Sequence, residues 1–135
     1  MNISDLISNI NWLSVIVLTV VSFIIGFAWH QPFMFGKQWK QENNPNNIKI
    51  EINAPLIFGG TAVMHFIAIT ALSAVISGTG ALNGAITGAL IAFVWILPAM
   101  AGTYLFANRS VKLLLIDAGM YLVMFAFFGL ILGAW

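Results

Sequence analysis

Four long stretches nearly free of charge constrain this chain more than any other feature. They run Trp12 to Trp29, Ala54 to Ser77, Leu82 to Phe106 and Val111 to Ala134, the last carrying Lys112 at its start and Asp117 inside it. About 20 mainly apolar residues cross the hydrocarbon core of a bilayer. Lipid satisfies no backbone group, so each stretch must close its own hydrogen bonds as a helix, and runs this long without alternation do not suit a barrel. The expected fold is all-α: a transmembrane four-helix bundle, one integral membrane domain over residues 1–135. Composition closes the other routes. The 135 residues are 61% hydrophobic and 7% charged, against about 25% charged in a soluble domain, which excludes a water-soluble globule. A formal charge of +1 is too small to attract nucleic acid, so no such partner is expected and the lipid bilayer is. The absence of cysteine excludes disulfides, thiolate chemistry, iron–sulfur clusters and covalently attached haem.

The connections set the topology. Gly78-Thr79-Gly80-Ala81 and Ala107-Asn108-Arg109-Ser110 are short enough to force antiparallel neighbours. The segment 40–53 is polar, with Asn44-Pro45 as a turn signal, and reads as a solvated cytoplasmic loop. Lys37, Lys40 and Lys49 follow the first span, and Arg109 and Lys112 lie between the third and fourth, so four crossings put all five on one side. Basic residues near span ends stay cytoplasmic. The expectation is a multi-pass protein of the bacterial inner membrane with both termini outside. The N-terminal tail carries Asp5, no basic segment and no small-residue cleavage site, which favours a retained anchor over a signal peptide.

Span one and span three share the pattern F-x-W-x-x-P-x-M-x-G, from Phe27 to Gly36 and from Phe93 to Gly102. Two parallel helical-hairpin repeats would produce such a match, although spans two and four show no comparable likeness. Span three continues through Pro98, so by analogy span one continues through Pro32 to Trp39, about 40 Å at 1.5 Å per residue. The spans then cover approximately residues 12–39, 54–77, 82–106 and 111–134. Proline removes a backbone donor and clashes with the carbonyl four residues earlier, so the first and third helices are expected to kink at Pro32 and Pro98.

Counting from the basic ends places Trp29, His65, Trp95 and Tyr121 at about 15 to 17 Å depth, one from each helix, with His30 at about 13 Å and Asp117 at about 9 Å. These residues form an expected polar and aromatic layer inside the bundle. Asp117 is an ionisable group within the membrane, a functional candidate by default. It reads either as a proton or cation site or as a hydrogen-bonded strut holding His30, Tyr104 or a backbone carbonyl. His65 reads as a packing residue, a proton relay or, together with His30, a haem ligand. No zinc-binding spacing occurs, and no metal, cofactor or catalytic set is expected. Small-residue ridges at Ser22 and Gly26, at Gly84, Gly88 and Ala92, and at Gly129 and Gly133 allow close helix approach, within the bundle or between copies.

The run Gly26-Phe27-Ala28-Trp29-His30-Gln31-Pro32-Phe33-Met34-Phe35-Gly36-Lys37-Gln38-Trp39 resembles the signature of a bacterial family of small four-span membrane proteins, domain of unknown function 1761. The matching positions are Gly26, Trp29, Pro32, Phe35, Gly36 and Trp39, while His30 and Gln31 stand where the family usually has Tyr and Ser. Asn11-Trp12, Thr103-Tyr104 and Arg109 add to the likeness. The resemblance implies a fold and no activity. The residues favour a non-enzymatic homo-oligomer that binds or passes a small solute or proton at the central layer. The alternatives are a structural or regulatory membrane module and, third, an intramembrane enzyme or haem-binding protein.

Overall fold

A computed structural model describes residues 2–135, and all regular structure among them is helical. Six helices follow in order: α1 (Ile3–Ser8), α2 (Trp12–Trp29), α3 (Gly36–Asn43), α4 (Ala54–Ile76), α5 (Ala81–Phe106) and α6 (Val111–Ala134). Of these, α2, α4, α5 and α6 are long and apolar enough to cross a membrane. Their starts are chemically marked. The side chains of Asn11, Asn53 and Ser110 accept hydrogen bonds from the amides of Ser14, Leu56 and Leu113, which satisfies donors that the first turn leaves unpaired. Pro55 sits in the first turn of α4, where a missing N–H costs nothing.

Helix α6 is the centre of the bundle. Its buried residues run from Leu113 to Gly133, whereas α4 buries only Ile69, Leu72, Ser73 and Ile76, all in its second half. The closest packing joins α5 to α6 through glycine. A Cβ on Gly84 would strike the Gly129 carbonyl, one on Gly129 would strike that of Gly84, and one on Gly88 would strike Phe125. The Gly84/Gly88 and Gly129/Gly133 ridges are therefore occupied inside the bundle and bring two backbones together there. Ser22 is likewise buried within the chain, and Gly26 faces Met124. The α4–α5 turn contains Gly78 and Gly80, both at positive φ, and the Gly80 amide donates to the Gly133 carbonyl.

The first span departs from expectation. It stops at Trp29 instead of continuing to Trp39, so Pro32 marks a break and not a kink. After Trp29 the chain folds back: the Phe35 amide donates to the Trp29 carbonyl at 3.1 Å and that of Gly36 to the Gln31 carbonyl at 3.0 Å. Gly36 lies so close to the His30 and Gln31 backbone that no Cβ fits. At Pro98 the outcome is the opposite, because residues Ala92–Ile96 widen into a π-helical stretch and α5 carries on to Phe106. A wider turn relaxes the crowding between a proline ring and the preceding carbonyls. The matching motifs of spans one and three thus produce different backbones, and the continuation of span one inferred from their likeness fails.

Lys37, Lys40, Lys49, Arg109 and Lys112 all fall at one end of the bundle, in the loops and helix ends that join α2 to α4 and α5 to α6. Arg109 donates to the Asn43 side chain at 2.6 Å and fastens the α5–α6 loop to the end of α3. At the opposite end Val15 and Leu18 of α2, Leu72 and Ile76 of α4 and Phe128 and Leu132 of α6 fill the interior.

Candidate functional site

The uneven burial of α4 creates the site. Its first half buries nothing, and Gly59 and Gly60 have no atom outside their own helix within reach of a Cβ. Between this half, the end of α2 and the middle of α6 lies a cleft of about 380 Å³. Phe23, Phe27, Phe58, Met120 and Met124 supply its apolar lining, and Ser22, His30, Gln31, Thr61, His65 and Tyr121 supply polar groups. Phe27 and Phe58 on the rim are 72% and 57% exposed, so the opening is apolar and faces lipid. A second depression of about 400 Å³, lined by Leu56, Gly60 and Met64, shares Ile57, Thr61, His65 and Tyr121 with it.

Within the cleft, His65 Nδ1 lies 2.7 Å from Ser22 Oγ, while Ser22 Oγ donates to the Thr19 carbonyl at 2.6 Å. The His65 ring meets Tyr121 edge-on at 6.4 Å and Phe23 at 6.1 Å between centroids. His30 Nδ1 donates to the Gly26 carbonyl at 2.7 Å, because a carbonyl can only accept. Ser22, Gly26 and His30 therefore form one polar line along α2, at the i, i+4, i+8 spacing that shares a helix face.

A second cluster surrounds Asp117. One carboxylate oxygen accepts from Trp39 Nε1 at 2.9 Å, and the other accepts from the Tyr104 hydroxyl at 2.6 Å. Arg109 lies over the Tyr104 ring, 5.8 Å from its centre. Trp29 Nε1 donates to the carbonyl of Ile116, the residue before Asp117, at 3.1 Å, and its ring packs on Phe35 at 4.6 Å. The signature segment is thus a docking unit. Its two tryptophans bond successive residues of α6, Gly36 permits the chain reversal between them, and Phe35 packs against the first. His30 joins the unit through an edge-on contact with Trp39 at 5.1 Å.

The expected layer is only partly assembled. His65 and Tyr121 meet, and Trp29 faces Ile116 and Gly119 beside Asp117. Trp95 does not take part: it is 70% exposed on the outward face of α5. Common depth fixes the level of a side chain and not the rotation of its helix, and the π-helical stretch holding Trp95 shifts that rotation further. Asp117 and His65 have separate partners and do not bond each other. Two contributors escaped the sequence reading. Trp39, expected only as the end of the first span and a signature position, is a donor to Asp117; as the one tryptophan in a polar stretch, its indole N–H is the available signal. Ser22 was assigned to a packing ridge, yet it holds His65; its place on the Gly26–His30 face pointed to that role. Among the described residues no group of three or more His, Asp or Glu side chains is placed to hold a metal ion.

The description "Protein of unknown function (DUF1761)" matches residues 13–133 of the chain. No curated protein and no solved structure matches it.

Proposed function

Because the chain belongs to the DUF1761 family, whose description carries no activity, we propose from the geometry that this four-span membrane protein binds a small solute in the cleft between α2, α4 and α6. The observation that carries the reading is the contrast along the bundle: a mainly apolar cleft of about 380 Å³ with a few polar groups in the half nearer the basic end, and side chains filling the other half. Concave, mainly apolar pockets with a few convergent polar groups are the usual form of small-molecule sites. We place the protein in the bacterial inner membrane with its basic end in the cytoplasm and both termini outside. Binding belongs to the single copy; passage of a solute or proton belongs to a homo-oligomer, since one copy is packed shut at its far end. We read the chemistry as non-enzymatic, because Ser22, the hydroxyl beside His65, gives its proton to the Thr19 carbonyl and not to the imidazole, and Asp117 is occupied by Trp39 and Tyr104.

Native mass spectrometry of the protein extracted with its lipids tests this reading. The unaltered chain should retain small adducts that Thr61→Trp, which fills the cleft, no longer holds while its helix content is unchanged. Identical adducts on both proteins would overturn it.

A further inference from the structure

The hydrogen bonds around the two histidines specify what the cleft can recognise. A serine hydroxyl has one proton, and Ser22 gives its proton to the Thr19 carbonyl. Ser22 Oγ can then only accept from His65, so His65 Nδ1 carries the hydrogen. His30 Nδ1 carries one too, because it faces the Gly26 carbonyl. In a neutral imidazole a protonated Nδ1 leaves Nε2 as an acceptor. No partner for either Nε2, or for the Tyr121 hydroxyl, occurs among the described residues. Among the described residues every buried side-chain nitrogen or oxygen has a partner, so these three atoms lie at accessible surface, on residues that line one cleft.

We propose that the cleft receives a membrane-soluble, uncharged ligand bearing a hydroxyl on an apolar body, a phenol or an alcohol. The ligand O–H donates to His65 Nε2, and its oxygen accepts from the Tyr121 hydroxyl. A hydroxyl is the small neutral group that does both at one atom, whereas an amide N–H can only donate. The apolar body fits among Phe23, Phe58 and Met124, and the exposed aromatic rim provides entry from lipid. A site built to hydrogen-bond a hydroxyl discriminates against the analogue lacking it, because the analogue leaves polar groups unpaired. This inference rests on the solute-binding reading of the cleft and names the class of solute.

The test compares 1-naphthol with 1-methoxynaphthalene, two ligands of nearly the same shape, for binding to the protein in nanodiscs, with empty nanodiscs subtracted. Naphthol should bind at least about tenfold more tightly, and His65→Phe should remove that preference. The comparison on the unaltered chain stands even if the variant fails to fold. Equal affinities, both abolished by Thr61→Trp, would overturn the hydroxyl assignment and leave the cleft as a binding site. No binding of either probe, or the same binding to Thr61→Trp, would overturn both. Nitrogen NMR of labelled histidine provides an independent arm: a neutral His65 protonated at Nε2 would also overturn the assignment.

Discussion

Asp117 shows how a carboxylate is accommodated in a membrane helix. An ionisable group at this depth costs a few kcal/mol unless it is paired or hydrogen-bonded, and here the Trp39 indole and the Tyr104 hydroxyl each donate to a different oxygen. The bonds join α6 to α3 and to α5, so one side chain positions three elements. Leu in its place offers no acceptor to the Trp39 indole or the Tyr104 hydroxyl. Asp117→Leu is therefore expected to destabilise the protein by about 1–3 kcal/mol, the cost of leaving a part-buried donor unsatisfied. Amide exchange should rise in α3 before it rises in α2 or α4. Unchanged exchange in α3 would show that the carboxylate does not hold that helix.

At the scale of elements, the two prolines are informative because their local sequences are alike and their outcomes differ. Pro98 is passed over by a π-helical stretch, while the chain turns away at Pro32. A proline ring is incompatible with an ordinary helical turn in both places, so its presence alone does not select the result. After Trp29 the alternative conformation is held by the Phe35 and Gly36 amides and by Trp39 reaching Asp117. Pro32→Ala should therefore leave the break in place. The chain contains no cysteine, so Phe33→Cys provides a unique label at a position that is 78% exposed. Its reaction with a membrane-impermeant maleimide should proceed equally with Pro or Ala at 32. Protection in the Ala variant would mean that α2 has extended and that proline alone ends it.

At the scale of the whole molecule, charge and packing are arranged along one axis. The basic side chains gather at the end where the cleft lies, and glycine contacts between α5 and α6, with the apolar core of α2, α4 and α6, close the other. Lys and Arg near short loops remain on the cytoplasmic side during insertion. An alkaline phosphatase fused after Trp135 should therefore be active and a fluorescent protein at the same site dark. The reverse pattern would invert the molecule and turn the cleft toward the outside.

Span number, helical class and the common end of the basic residues were legible in the sequence, because each depends on a local quantity. A charge-free run of sufficient length must be a helix in lipid whatever its neighbours are, and the parity of four crossings then places every loop. Tyr104 is one of three partners the sequence offers Asp117, beside His30 and a backbone carbonyl, and it is the one of the three that bonds the carboxylate. The end of α2 at Trp29, the outward turn of Trp95 and the bond from Trp39 to Asp117 were not legible. Each depends on helix rotation or on groups far apart in the chain, 78 residues in the last case. Hydropathy reports how deep a residue sits and is nearly silent on the direction it faces. Direction is set only when α5 settles onto α6 through glycine and the signature segment folds back onto Ile116 and Asp117.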